Sequence, residues 1–253
     1  MDLAIRLQEV TGKDYFTYTS LKYAMQDVRL FEMYCRGQLS KDSDALTFGS
    51  LYDTMLFEKD AVNERFIVLD DAEIVSKIGG ASPRATKAYK DWKQMYVANS
   101  SNRRIVSADD FDKAVQMINR LEETGIVEAY LKGEYQKELA GFIGDVPVRG
   151  FLDCLGNGYV SDSKSTRAIS GFRRDIFSFG YDIQAYIYSE LAGIREYYWV
   201  AQDTSYPFTP KIFKASERTL DGGRTKFEKA VNNVQEFLFS DKSADLFYDI
   251  EEV

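Results

Sequence analysis

Asp153, Asp162 and Lys164 are the residues of this 253-residue chain whose types and spacing could do hydrolytic chemistry. Asp153 lies near the end of one alternating run, VPVRGFLDCL, and Asp162-Ser163-Lys164 lies near the end of the next, YVSDSKST, with Gly156-Asn157-Gly158 between them. If the two runs are antiparallel neighbours, the turn brings Asp153 beside Asp162, and the side-chain period of two puts Asp162 and Lys164 on one face. Carboxylates held side by side repel unless a cation sits between them. Oxygen-only ligation favours a hard ion such as magnesium, with manganese as a substitute. Such an ion would polarise a phosphodiester and lower the pKa of an attacking water. Lys164 would hold or deprotonate that water and help neutralise the developing charge.

An acid-x-Lys triplet arises by chance roughly once or twice in a chain of this length, and Asp91-Trp92-Lys93 is a second instance. That copy falls in a helical segment with no upstream carboxylate partner and reads as a solvated face. The joint pattern sets the other copy apart. Asp153 precedes it, and Gln184 and Tyr188 follow on a helix at a spacing of four, so both can look toward the site. Arg149, Arg167, Arg173 and Arg174 flank the motif runs, and arginine forks suit phosphate oxygens. Tyr197-Tyr198-Trp199 alternates along a strand and reads as sheet packing.

Composition narrows the chemistry. The chain contains no histidine, which removes imidazole bases, Ser-His-Asp triads and most zinc hydrolases. Its net charge of -8 argues against a surface coated in positive potential, while leaving room for a basic channel. Cys35 and Cys154 are too few for a disulfide framework or a structural metal cluster, and are expected to be reduced and buried. With 45% apolar residues, 14% aromatics, no apolar stretch long enough to span a bilayer and an acidic amphipathic start, the chain is expected to be soluble and intracellular.

The elements that must position these residues follow from periodicity. Leu21, Ala24, Val28, Phe31 and Cys35 recur at helical spacing from Ser20 to Gly37, which predicts one core-facing helix. Residues 44–58 predict a second helix, in which Gly49 would allow close backbone approach, and 65–71 a short strand or an extended connection. Residues 82–98 and 107–123 predict helices with Ser82 and Ser107 as N-caps and Pro83 in the first turn. From about 128 to 166, three strands joined by Gly-Asp and Gly-Asn-Gly turns predict a β-meander. Phe172, Ile176, Phe179, Ile183, Ile187 and Leu191 then predict one long helix. A strand pair (195–203 and 209–215) and a closing helix with Phe227, Val231, Val234 and Leu238 complete the pattern.

The runs GFLDCL, SDSKST and GYDIQAYIY resemble the RecE-type and λ-exonuclease-type branch of the PD-(D/E)XK nuclease superfamily. FGSLYDTMLFE with RFIV, and the segment VAQDTSYPFTPKIFKASERTLDGGRTKFEKAV, extend the resemblance to roughly residues 18 to 240. The resemblance implies an α/β (α+β) fold with a restriction-endonuclease-like core: a mixed central sheet flanked by helices. The expected organisation is a single nuclease domain over 1–253, mainly helical over 1–127, with the catalytic core over 128–253.

It further implies that Asp153 and Asp162 bind the metal with the Ser163 carbonyl as an extra ligand, and that Lys164 is the catalytic lysine. Gln184 and Tyr188 would support the site and contact DNA, and Glu138 would complete the coordination. Where the branch usually carries a histidine, four residues after the helix glycine, this chain has Asp53: a carboxylate that replaces the imidazole on magnesium, a lost ligand, or an exposed helix residue.

The activity implied is exonucleolytic hydrolysis of linear double-stranded DNA, 5′ to 3′, supplying single strands for recombination. A ring-shaped trimer or tetramer, an annealing recombinase as partner, and a phage or prophage protein in the bacterial cytoplasm are the corresponding expectations. The alternatives are an endonuclease on the same core and a catalytically inactive DNA-end-binding module. An iron-sulfur type is disfavoured because its four cysteines are missing.

Overall fold

Asp2, Thr17 and Asp27 each turn a side-chain oxygen onto the first turn of a helix, satisfying a backbone N–H that has no partner within the helix. They start α1 (Leu3–Thr11), α2 (Tyr18–Gln26) and α3 (Val28–Cys35). The single helix expected over 20–37 is therefore two. Asp27 is extended (φ -169°, ψ 134°), and its carboxylate caps Arg29. The apolar spacing runs on through the break because Leu21, Ala24, Val28 and Phe31 all face the same core.

The structure, a computed structural model, describes residues 2–39, 43–98 and 103–240. It divides into two units, one of Met1–Lys41 with Gly125–Val253 and the other of Asp42–Thr124. The second unit contains α4 (Asp44–Phe57), α5 (Val62–Arg65), β1 (Phe66–Leu69), α6 (Ala72–Ile78), α7 (Lys87–Ala98), β2 (Arg104–Ser107) and α8 (Ala108–Glu123). β1 and β2 pair in parallel from Phe66↔Arg104 to Leu69↔Ser107. Ser43 and Ser107 cap α4 and α8. Ser82 makes no cap. Pro83–Ala85 forms a separate 3-10 turn, and Thr86 Oγ1 accepts the Tyr89 N–H instead, so the cap of α7 lies four residues later than expected.

The first unit resumes with α9 (Ile126–Tyr130), then β3 (Glu134–Ile143), β4 (Val146–Leu155), β5 (Val160–Thr166), α10 (Phe172–Ser178), α11 (Tyr181–Ala192), β6 (Tyr197–Asp203), β7 (Pro210–Lys214) and α12 (Glu217–Leu238). The strands form one mixed sheet in the order β3-β4-β5-β6-β7. β3, β4 and β5 are the expected meander. Gly144 at φ +60° makes the two-residue turn between Ile143 and Val146, where an L side chain would be strained. β6 lies parallel to β5, a connection that requires a crossover, which α10 and α11 supply. The helix expected from Phe172 to Leu191 is also two, because Gly180 adopts φ +73° between them.

The core of this unit joins Val148, Leu152, Val160, Tyr197 and Trp199 of the sheet to Ile183 and Ile187 of α11 and to Phe227, Val231 and Val234 of α12. The segment before α2 joins the sheet itself. Phe16 N–H donates to the Pro147 carbonyl (2.9 Å), and Arg149 N–H donates to the Phe16 carbonyl (2.8 Å). α11 and α12 cross closely at Gly223, where an added Cβ would stand 2.1 Å from the Asp182 carbonyl oxygen. Among the described residues no helix is long and apolar enough to cross a membrane. Cys154 is buried, Cys35 is half-buried, and both are free thiols.

Candidate active site

The ladder between β4 and β5 is short. It holds Leu155↔Val160 and Cys154↔Ser161 and ends there. The next residues on each strand are Asp153 and Asp162. Where the ladder stops, Asp153 Oδ2 accepts the Ser163 backbone N–H at 3.0 Å, so the carboxylate takes the place of a missing strand partner. Its other oxygen, Oδ1, accepts from Gln136 Nε2 of β3 at 3.3 Å. Gln136 itself has φ +47°, an uncommon conformation for a residue with a side chain.

Asp162 is 1% exposed. Gln184 Nε2, on α11, donates to its Oδ1 at 2.9 Å, and Lys164 Nζ forms an ion pair with its Oδ2. Burial pushes the Asp162 carboxyl up to about 7; the Lys164 charge opposes that rise and the Asp153 charge adds to it. Burial alone would lower the Lys164 pKa, but the Asp162 and Asp153 carboxylates outweigh it, and the ammonium is held above its ordinary value. Lys164 Nζ also reaches the Ser163 carbonyl (3.3 Å) and lies 5.2 Å from the centroid of the Tyr181 ring.

The donor set fits a hard divalent cation. Two adjacent carboxylates, one of them buried and shifted toward its neutral form, constitute an excess of negative charge that a cation would relieve. The Ser163 carbonyl adds a third oxygen on the same strand. No group of three or more acidic, cysteine or histidine side chains forms a cation site among the described residues. The two aspartates and backbone oxygen would therefore need water or substrate oxygens to complete a shell, as magnesium commonly accepts.

The structure thus brings together Asp153, Asp162, Ser163, Lys164 and Gln184 as expected. Glu138 is different. Its carboxylate is paired with Arg149 Nε at 2.5 Å, and the β3 side chain that touches Asp153 is Gln136. The same pair occupies Arg149, whose guanidinium also lies over Tyr15 and Phe151. Tyr188 is buried rather than presented to a ligand. Its ring packs on β4 at Gly150, where a Cβ would come within 2.4 Å of its Cε1. It offers no face for stacking.

Arg167, Arg173 and Arg174 are exposed, just beyond the end of β5 and on α10, with Arg174 in a 3.4 Å ion pair with Asp175. Asp53 stands on α4 in the other unit. Asp91 and Lys93 are exposed on α7, as a solvated face should be.

Two residues at the site escaped the sequence reading. Tyr181 precedes Gln184 by three on the same helix, so its spacing carried the signal. Gln136 had no such signal, because its reach to Asp153 depends on a local backbone twist.

A mixed five-strand sheet flanked by helices, with two aspartates and a lysine gathered where β4 and β5 part, defines a PD-(D/E)XK-type domain. A family model described as "PDDEXK-like domain of unknown function (DUF3799)" matches residues 30–245, and the chain belongs to that family. Among solved structures, a "Putative exonuclease" from Eubacterium rectale shares the fold, with a TM-score of 0.65 at 13% identity over 99% of this chain and 93% of its own. A phage related exonuclease from Haemophilus somnus 129PT is matched at 15% identity over 69% of this chain and 96% of its own, with a TM-score of 0.31. No curated protein matches the chain.

Proposed function

We propose that the chain is a magnesium-dependent deoxyribonuclease that hydrolyses phosphodiester bonds of linear double-stranded DNA from an end. The observation that carries this reading is the Lys164–Asp162 ion pair set beside the Asp153 carboxylate in a PDDEXK-like domain. A structural ion pair needs no second carboxylate crowding it. Two carboxylates and an ammonium at one break in a ladder are a set that metal-assisted phosphoryl transfer can use.

Asp153, Asp162 and the Ser163 carbonyl would hold magnesium, or manganese in its place. When bound, such an ion supplies Lewis-acid polarisation of the scissile phosphate and a lowered pKa for a water. The chain's own groups do the rest. Lys164 orients the attacking water through its ammonium and screens the charge that grows on the phosphate. Gln184 fixes the Asp162 carboxylate by one hydrogen bond. Arg167, Arg173 and Arg174 offer exposed guanidinium groups to backbone phosphates.

The exonuclease mode is supported by the name of the Eubacterium rectale neighbour and by the resemblance of the motif runs. Attack in the 5′ to 3′ direction, a ring-shaped oligomer and hand-over of single strands to an annealing recombinase rest on the resemblance alone.

Digestion of duplexes labelled at one 5′ or one 3′ end, beside a covalently closed circle, with magnesium and with EDTA, tests the reading. Mononucleotides released from the 5′ end in magnesium only, with the circle untouched, are the expected result. A cut circle would replace the exonuclease with an endonuclease on the same core.

A further inference from the structure

The loop between β6 and β7 carries the most exposed large apolar side chain among the described residues, Tyr206, at 86% of its free surface. A single exposed apolar side chain is ordinary, and what sets this ring apart is how firmly its loop is held. The loop is fixed. Gln202, fully buried at the end of β6, donates its side-chain amide to the Phe208 carbonyl at 3.0 Å, and Phe208 N–H donates to the Ser205 carbonyl at 2.8 Å. Asp203 N–H closes the base of the loop on the Thr209 carbonyl at 3.1 Å. Phe208 holds φ +56°, a strained conformation for a residue with a side chain, and its ring meets the Tyr206 ring edge-on at 6.0 Å.

The loop is anchored to the strand that carries the site. Thr204 N–H donates to the Thr166 carbonyl at 2.8 Å, and Thr166 follows Lys164 by two residues on β5. Two strand residues span about 7 Å. Adding the crossing between neighbouring strands, the two-residue step from Thr204 and the length of the side chain keeps the ring within about 25 Å of the Lys164 backbone, or some seven stacked base steps at about 3.4 Å each. Arg167, exposed directly after Thr166, lies on the same stretch of chain.

We propose that Tyr206, braced by Phe208, is a base-stacking residue that receives an unpaired nucleobase of the DNA strand within several nucleotides of the bond to be cut. The proposal rests on the nuclease reading for the position of the cut, but not for the stacking itself. Every base offers a π-face, so one exposed ring on a loop tied to the strand that carries the site would hold a frayed or overhanging strand in register without selecting a sequence.

The test uses the full chain and a duplex with a four-nucleotide overhang carrying 2-aminopurine at each overhang position in turn. In EDTA, binding of the unsubstituted protein should quench the probe at one or two positions. Tyr206→Phe should do the same, and Tyr206→Ala should leave the probe bright. In magnesium, Tyr206→Ala should raise KM for DNA by about 5- to 100-fold, the range that loss of one base–aromatic stack gives, with kcat within twofold.

Equal quenching and equal KM in Tyr206→Ala would overturn the proposal. So would a change in oligomeric state confined to Tyr206→Ala, which would make the ring a protein contact. If the unsubstituted chain leaves DNA uncut while the Tyr206-dependent quenching persists, the nuclease reading falls and the stacking stands.

Discussion

The Asp153 carboxylate accepts the backbone N–H of Ser163, ten residues further along the chain, at 3.0 Å. That bond explains how two aspartates come to face each other without a full strand ladder beneath them. β4 and β5 separate after Cys154↔Ser161, and the carboxylate bridges the opening. The side chain that caps the break is therefore the one whose charge acts on Asp162.

The first prediction concerns pH. The Asp162 carboxyl is raised from its ordinary value near 3.8 to about 7 in the folded chain, first by burial and then by the Asp153 charge, with Lys164 opposing. A carboxyl raised on folding contributes stability that is fully present below the unfolded pKa and is lost as pH rises through the folded pKa. The metal-free protein should lose on the order of 3 kcal/mol between pH 4 and 8 from this group. Thermal melting with EDTA across that range should show the decline, and Asp162→Asn should flatten it. Magnesium should restore more stability at pH 8 than at pH 5.

A second prediction follows from Lys164. Lys164→Ala should lower DNA cleavage by about 100-fold or more, and Lys164→Arg should not restore it, because a planar fork cannot replace a point charge at one carboxylate oxygen. Single-turnover cleavage of an end-labelled duplex measures both. Full activity in Lys164→Ala would remove the lysine from the chemistry.

Gln184 separates orientation from charge. Gln184→Ala removes the 2.9 Å bond to Asp162 and should cost about 10- to 100-fold in activity while the fold persists, a range typical of residues that orient metal ligands. Gln184→Glu should be worse, since a third carboxylate would then crowd the other two. Magnesium titrations of cleavage should show a higher magnesium requirement in Gln184→Ala.

Glu138 should behave otherwise. Its partner is Arg149, so Glu138→Gln should leave the magnesium dependence of cleavage unchanged, with activity within about threefold. A large rise in the magnesium concentration needed would restore Glu138 as a ligand.

The close crossing of α11 and α12 gives a stability prediction. Gly223→Ala would place a Cβ 2.1 Å from the Asp182 carbonyl oxygen, a backbone atom that cannot swing aside. The helices must part, at a cost of about 1–3 kcal/mol, and Gln184, two residues beyond Asp182, should shift with them. Urea denaturation reads the first effect, and cleavage by the still-folded variant reads the second.

The meander and the trio of Asp153, Asp162 and Lys164 were legible because strand alternation and turn glycines are local signals. The breaks at Asp27 and Gly180 were not, since apolar spacing continues across them while the backbone does not. The pairing of the Phe16 segment with β4 was hidden for another reason: it joins residues more than 130 apart. Glu138 and Gln136 differ by two positions on one strand, and only the φ +47° turn at Gln136 shows which reaches Asp153. Tyr188 has the right spacing to face the site but is buried against Gly150, a fact of packing rather than of period.

The most direct test is cleavage of an end-labelled linear duplex by the intact chain in magnesium, beside EDTA and Asp162→Asn controls. The structure predicts magnesium-dependent release of nucleotides from the duplex by the unsubstituted chain and none in either control. An intact duplex under magnesium and manganese alike, or equal cleavage by Asp162→Asn, would contradict an active centre at Asp153, Asp162 and Lys164.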